Sequence, residues 1–269
     1  MVGDFSHPIS YPSQVRYFLE IAYNGQPYFG WQRQPKHISV QQVIEEKLST
    51  KLQTPIQVVG CGRTDTGVHA TSYFLHFDVE QELSKGFFHK MNTFLPKSIV
   101  ILRAFEPKKA NLHARFSAQK RTYTYKIFRH KNPFYFGQAL YYRAPLDLDL
   151  LQEGAKMISQ HQDFTTFSKS GNEVNHYLCD IYESFWRKEG DLLLYQVSAN
   201  RFVRSMVRLI VGNLLQVGRE VLTVAALSDR LTQKDRTIAF PPAAPDGLYL
   251  SKVDYPADSF TPIFDAKML

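Results

Sequence analysis

Two strand-like runs separated only by Glu189-Gly190-Asp191 constrain the fold of this chain more than any other feature. HYLCDIYESFWRK at 176–188 and LLLYQVSAN at 192–200 are rich in aromatic and branched residues, and a short link with glycine at its centre closes a β-hairpin. Strands joined so tightly run antiparallel, since a parallel pair needs a crossover of about a dozen residues or more. A similar adjacency occurs earlier. IQVVGC at 56–61 reads as a strand, and TSYFLHFDV at 71–79 places Tyr73, Leu75, Phe77 and Val79 on one face. Further strands are expected at 15–25, running into an Asn24-Gly25 turn, at 98–105, at 120–130, and in DGLYLSKVDY near the C-terminus.

Helices fall between these strands. Ser39 and Gln42 form an S-x-x-Q capping box, and Val40, Val43, Ile44, Leu48 and Leu52 follow at helical spacing. Shorter helices are predicted near 84–94, 147–160 and 223–233. Phe202, Met206, Leu209, Ile210, Leu214 and Val217 predict a core-facing helix from 202 to 217, with Gly218 placed to cap its C-terminus. Strands in adjacent pairs, rather than in regular alternation with helices, give an α+β fold with mainly antiparallel sheet. The element order divides the chain into a loose tail at 1–14, one α+β domain at 15–112 and a second at 113–269. The halves share an approximate order of elements without a residue-level repeat.

At 269 residues, 44% hydrophobic and 21% charged, the chain has ordinary globular usage and enough length for a sizeable core. No apolar run reaches the roughly 18 residues of a membrane span, and the N-terminus has no signal-like pattern, so the expected location is the cytoplasm. Cys61 and Cys179 stand far apart with no CxxC pairing; both are read as buried thiols, and no zinc site is expected. The net charge of +7 points toward a polyanionic partner. Its distribution sharpens this: in HARFSAQKRTYTYKIFRHK, residues 113–131, Arg115, Lys120, Arg121, Lys126, Arg129 and Lys131 alternate with Phe116, Tyr123, Tyr125 and Phe128. Cations interleaved with rings suit phosphates and unpaired bases.

Within CGRTDTGVHA at 61–70, Asp65 lies in a polar loop between two apolar strands, two residues after Arg63. Aspartate is ionised at neutral pH and a nearby cation keeps it so. That state suits a nucleophile, a base, or a partner for developing positive charge. The plain alternative is an Asx turn between glycines. His69 and His76 raise a metal site with Asp65, but their spacing fits no familiar ligand set. Tyr123 and Tyr125, at period two, are read either as core or as a stacking platform. Arg201, Arg204 and Arg208 decorate the start of the 202–217 helix, where Arg204 and Arg208, one turn apart, call for an anion between them, and Asp65 is one candidate.

These residues, taken together, resemble the TruA-type tRNA pseudouridine synthases. GRTDTGVHA is similar to the catalytic loop of that family. AYNGQPYFGWQRQ, SVQQVIEEKL, NTFLP, HARFSAQKRTYTY, DFTTFS and NRFVRSMVRLIVGNLLQVGR follow in the family's order, from about Arg16 to Tyr255. Thr66 and Cys61 depart from the alanines common there. The resemblance implies two related, ferredoxin- or RRM-like halves meeting in a central cleft, and a cofactor-independent, metal-free homodimer that isomerises uridines of the tRNA anticodon stem-loop, at positions 38–40. It implies Asp65 as the catalytic carboxylate, Arg208 as its paired cation, Arg63 as a further active-site arginine, and Tyr123 as the ring that stacks on the target uracil. Lys120, Arg121, Arg129, Lys131 and Arg204 are then expected to meet the RNA. The other readings are a non-catalytic RNA-binding protein on the same scaffold, and a carboxylate-dependent nucleoside hydrolase.

Overall fold

A computed structural model of the chain describes residues 14–169 and 176–268. The segment expected to be a loose tail therefore lies, up to residue 13, outside the described residues. In chain order the elements are β1 (Val15–Tyr23), α1 (Val40–Leu52), β2 (Val59–Gly60), β3 (His69–Val79), α2 (Lys85–Phe94), β4 (Ile99–Pro107), β5 (Lys120–Phe128) and β6 (Leu140–Tyr141). They continue with α3 (Leu148–Ile158), β7 (Ile181–Glu189), β8 (Leu192–Ala199), α4 (Met206–Gly218), α5 (Val224–Gln233), β9 (Leu248–Asp254) and β10 (Phe260–Asp265). Among the described residues no helix is long and apolar enough to cross a membrane.

The strands form one ten-stranded sheet in the order β10-β4-β1-β3-β9-β5-β8-β7, with β2 beside β3 and β6 beside β5. Pairing is antiparallel throughout except for β5 with β6 and β3 with β9. The β3–β9 contact, His69 opposite Tyr249 and Ala70 opposite Leu250, is the seam where one half of the sheet meets the other. Each half has its own core. Helices α1 and α2 bring Val40, Ile44, Leu48, Phe88 and Met91 to Tyr17, Leu19, Tyr73 and Phe77. Helices α3 to α5 bring Leu151, Ile158, Ile210, Leu214 and Leu227 to Ile127, Trp186 and Val197. Residues cross over in both directions: Val68, just before β3, packs in the second core, and Leu250 and Val253 of β9 pack in the first. Tyr123 packs against both.

Local physics explains the departures from expectation. The predicted strand 56–61 shrinks to Val59–Gly60 because its neighbours bond elsewhere: the Ile56 amide donates to Ser49 Oγ and the Val58 amide to Glu45 Oε1, both on α1. The capping box is half formed, with Ser39 Oγ accepting from the Gln42 amide while the Gln42 side chain reaches Glu46. Helix α4 starts at Met206 rather than Phe202, and Gly218 is its last residue, not its cap. Arg219 caps it in right-handed geometry and the first left-handed residue is Glu220. Gly218 is instead a close-packing position, where a Cβ would lie 2.7 Å from Leu151 Cγ. Strand β10 has no counterpart in the sequence reading; it returns to the edge of the sheet against β4, where Pro262 is tolerated because an edge strand leaves donors unpaired.

A candidate active site at the seam

The Asp65 loop runs from β2 into β3 and is held from the end of β1 and the segment after it. The Trp31 amide donates to Thr64 O (3.2 Å), Tyr23 Oη pairs with Thr64 Oγ1 (2.9 Å), and the Gly67 amide donates to Tyr28 O (3.2 Å). Beyond the loop, the Gly25 amide donates to His69 Nδ1 (3.1 Å), and Tyr73 Oη donates to Gly62 O. Two glycines make this approach possible. Gly30 has φ +82°, and a Cβ on it would lie 2.5 Å from Thr64 O; Gly67 has φ +77° beside Pro245. Gly30→Ala is therefore expected to lower stability by roughly 1–3 kcal/mol, through left-handed strain and displacement of the loop. Denaturant unfolding checks the loss, and an unchanged midpoint would contradict this role for Gly30.

Asp65 does not form an Asx turn. Its carboxylate reaches across the seam, where Oδ2 accepts from Ser205 Oγ at 2.8 Å and from Arg208 Nη1 at 3.3 Å. Arg208, in the first turn of α4, is largely buried, and its Nε donates to Ala243 O at 2.7 Å, so the guanidinium is fixed at two points. Oδ1 has a looser neighbour, Arg204 Nε at 4.0 Å, on a side chain that is more than half exposed. Arg204 precedes α4, so the two arginines converge on Asp65 from a turn and a helix rather than along one helical stripe. The start of α4 also presents its positive dipole end to this region, which favours an anion. Arg63, expected beside Asp65, is exposed and donates from Nε to Gln32 Oε1 at 3.0 Å.

Tyr123 lies on β5 between Val197 of β8 and Leu250 of β9. Its ring meets Phe202 edge-on, with centroids 5.0 Å apart at 86°. Burial raises its phenol, and the charge on Asp65 adds to that shift. Tyr125 is core: fully buried, it donates to Ala244 O at 2.7 Å and so steadies the backbone next to the carbonyl that holds Arg208.

The basic residues divide. Arg121, read as an RNA contact, donates to the carbonyls of Cys61, Arg115, Ala118 and Asn200, a clamp that ties the start of the Asp65 loop to the end of β8. Lys120 lies 3.7 Å from Asp254. Arg129 and Lys131 are exposed beyond β5. His69 and His76 serve the scaffold, each accepting a backbone N–H at Nδ1, from Gly25 and Ala114 respectively. Burial, aided by Arg16, lowers His76 to about 4, so it is neutral at physiological pH. Cys61 and Cys179 are buried free thiols, and burial pushes both up to about 11.

Ser205 and the Ala243 carbonyl were not found from the sequence. Neither lies near Asp65 in the chain, and Ser205 had no signal beyond its place between two arginines. The supporting role of Gly25, Gly30 and Trp31 had a weak signal, the spacing of glycines in AYNGQPYFGWQ.

Comparison with known proteins adds a second line of support. The model of a family described as tRNA pseudouridine synthase matches residues 21–117 and 160–256, one stretch in each half. The chain is 41% identical over 249 residues to tRNA pseudouridine synthase A of Parabacteroides distasonis, covering 91% of this chain and 98% of that protein. It is 40% identical to the enzyme of the same name from Porphyromonas gingivalis (91% and 99% covered) and 36% identical to that from Paraburkholderia xenovorans (92% of each). With both halves matched and the likeness running nearly end to end, the chain belongs to the tRNA pseudouridine synthase family.

Proposed function

We propose that this protein isomerises uridines of tRNA to pseudouridine, at positions 38–40 of the anticodon stem-loop, with Asp65 as the catalytic carboxylate. The observation that carries this reading is the carboxylate at the seam of the two halves, held on one oxygen by Ser205 and Arg208. The isomerisation breaks the bond from ribose C1′ to uracil N1 and joins C1′ to C5. Nothing is oxidised and nothing is added, so one ionised acid beside the nucleotide meets the need. Two flanking carboxylates, as in most glycosidases, would activate water and hydrolyse the bond.

A stacked uridine must first leave the helix, at a cost of a few kcal/mol, and a base stacked on an aromatic ring recovers roughly 1–3 kcal/mol. In this reading Tyr123 supplies that ring, and Phe202 meets it edge-on. Tyr123→Phe is expected to keep most activity, while Tyr123→Leu reduces kcat/KM by roughly ten- to a hundredfold, the equivalent of the lost stacking. Equal activity of the two variants would contradict a platform at this position.

Lys131, Arg129 and Arg204 supply exposed positive charge for the phosphates, and binding should weaken steeply with salt. In this reading the protein is cytoplasmic and works as a homodimer. The test is to incubate unmodified tRNA transcripts with the protein and map pseudouridine by carbodiimide-dependent reverse-transcription stops. Stops in the anticodon stem-loop support the proposal; stops elsewhere would move the site, and none at all would leave a binding protein.

A further inference from the structure

We infer that Ser205 is a positioning residue. With Arg208 it occupies Oδ2 of Asp65, so that Oδ1 is the oxygen left to face the nucleotide. This rests on the catalytic role proposed for Asp65. The two carboxylate oxygens are unlike: Oδ2 carries the 2.8 Å bond from Ser205 Oγ and the 3.3 Å contact from Arg208, while Oδ1 has the exposed Arg204 at 4.0 Å. A guanidinium alone attracts either oxygen and lets the carboxylate rotate. A short hydroxyl bond from a second direction selects one rotamer.

The backbone at Ser205 supports a dedicated role. Ser205 is the N-cap of α4, yet it sits at φ 61°, ψ 3°, in the left-handed region, and its side chain makes no cap bond. The serine that caps α1 and the threonine that caps α5 are both extended, at φ −118° and −78°, and both accept an amide of their own first turn. Ser84, before α2, makes no cap bond either, but it too is extended. A left-handed serine is strained where glycine would not be, and strained backbone concentrates at functional sites. The strained conformation turns the hydroxyl away from the helix and across the seam to Asp65. The Ser205 carbonyl meanwhile accepts from the Leu209 amide (3.0 Å) and starts the turn that carries Arg208, so one residue sets the direction of both groups on Oδ2.

The test compares Ser205→Gly, Ser205→Ala and Ser205→Asn with wild type and with Asp65→Asn, using an unmodified tRNA transcript. Single-turnover rate at saturating enzyme, tRNA Kd and melting temperature are read for each. Glycine relieves the strain and deletes the donor, so Ser205→Gly should melt at the same or a higher temperature and bind tRNA within about twofold of wild type, while its rate falls about tenfold, the scale of one charge-assisted hydrogen bond. Asparagine tolerates the left-handed region and keeps a donor, so Ser205→Asn should recover most of that loss. Ser205→Ala should be as slow as the glycine variant and less stable. A Ser205→Gly enzyme of wild-type rate, or one whose loss lies in Kd or in melting temperature, overturns the inference, as does a Ser205→Asn enzyme no faster than Ser205→Gly. An active Asp65→Asn enzyme would instead remove the catalytic role of Asp65, an outcome separable from the behaviour of Ser205.

Discussion

Asp65→Asn is expected to lower turnover by at least about a thousandfold, the scale seen when a group that acts directly on the reacting atoms is removed. Asparagine has the same shape and can still accept from Ser205, so the fold of the loop, held through Thr64, Gly67 and Gly62, should persist. What is lost is the negative charge and with it any capacity to attack C1′, add to the base or take a proton. tRNA affinity should stay within about threefold or improve slightly, because phosphate contacts dominate binding and the substitution removes a negative charge from beside the anion. Filter binding and a turnover assay on one preparation separate the two effects. Loss of both together would mark Asp65 as a structural residue.

Arg208→Ala is expected to reduce kcat by about a hundredfold or more, as for loss of a buried charged donor at a reacting centre. The largely buried guanidinium spans from Ala243 O to Asp65 Oδ2 and closes the distance between the segment before β9 and the loop before β3. Lysine keeps the charge but offers one nitrogen in place of a planar fork, so Arg208→Lys should lose either the carbonyl or the carboxylate and fall between alanine and wild type. Lys131→Ala, by contrast, removes an exposed charge and should change kcat by less than about twofold, with its effect in tRNA affinity and its salt dependence. Similar losses at positions 131 and 208 would reduce Arg208 to a phosphate contact.

How far the site could be read from the sequence follows from chain separation. Asp65 was legible because its signal is local: one acid in a glycine-flanked polar loop between strands. Arg208 was legible as a cation without an anion, and only the fold brings together groups 143 residues apart. Arg63 stands two residues before Asp65, yet its side chain donates to Gln32, a partner 31 residues away that no local pattern names. Arg121 looked like a surface cation, but the fold surrounds it with carbonyls that need donors. Ser205 was invisible, since a left-handed φ at a serine comes from packing rather than from propensity.

The fold shows the same division. The hairpin of β7 and β8 and helices α1 and α3 to α5 were carried by local periodicity and turn chemistry, to within a few residues. Strand β10 was missed because it is short, contains Pro262, and owes its pairing to β4, some 150 residues earlier, a contact no local pattern encodes. The joining of two halves into one sheet through β3 and β9 is a tertiary fact of the same kind. It sets the loop bearing Asp65 against the turn bearing Ser205.

The central claim is that a carboxylate at this seam rearranges a uridine without releasing it. The most direct measurement uses an unmodified tRNA transcript labelled with tritium at uracil C5, treated with the wild-type protein and with Asp65→Asn. Wild type should release tritium to water as C1′ bonds to C5, with free uracil absent and the RNA otherwise intact, and Asp65→Asn should release none. Tritium found in free uracil, or equal release by both proteins, would contradict it.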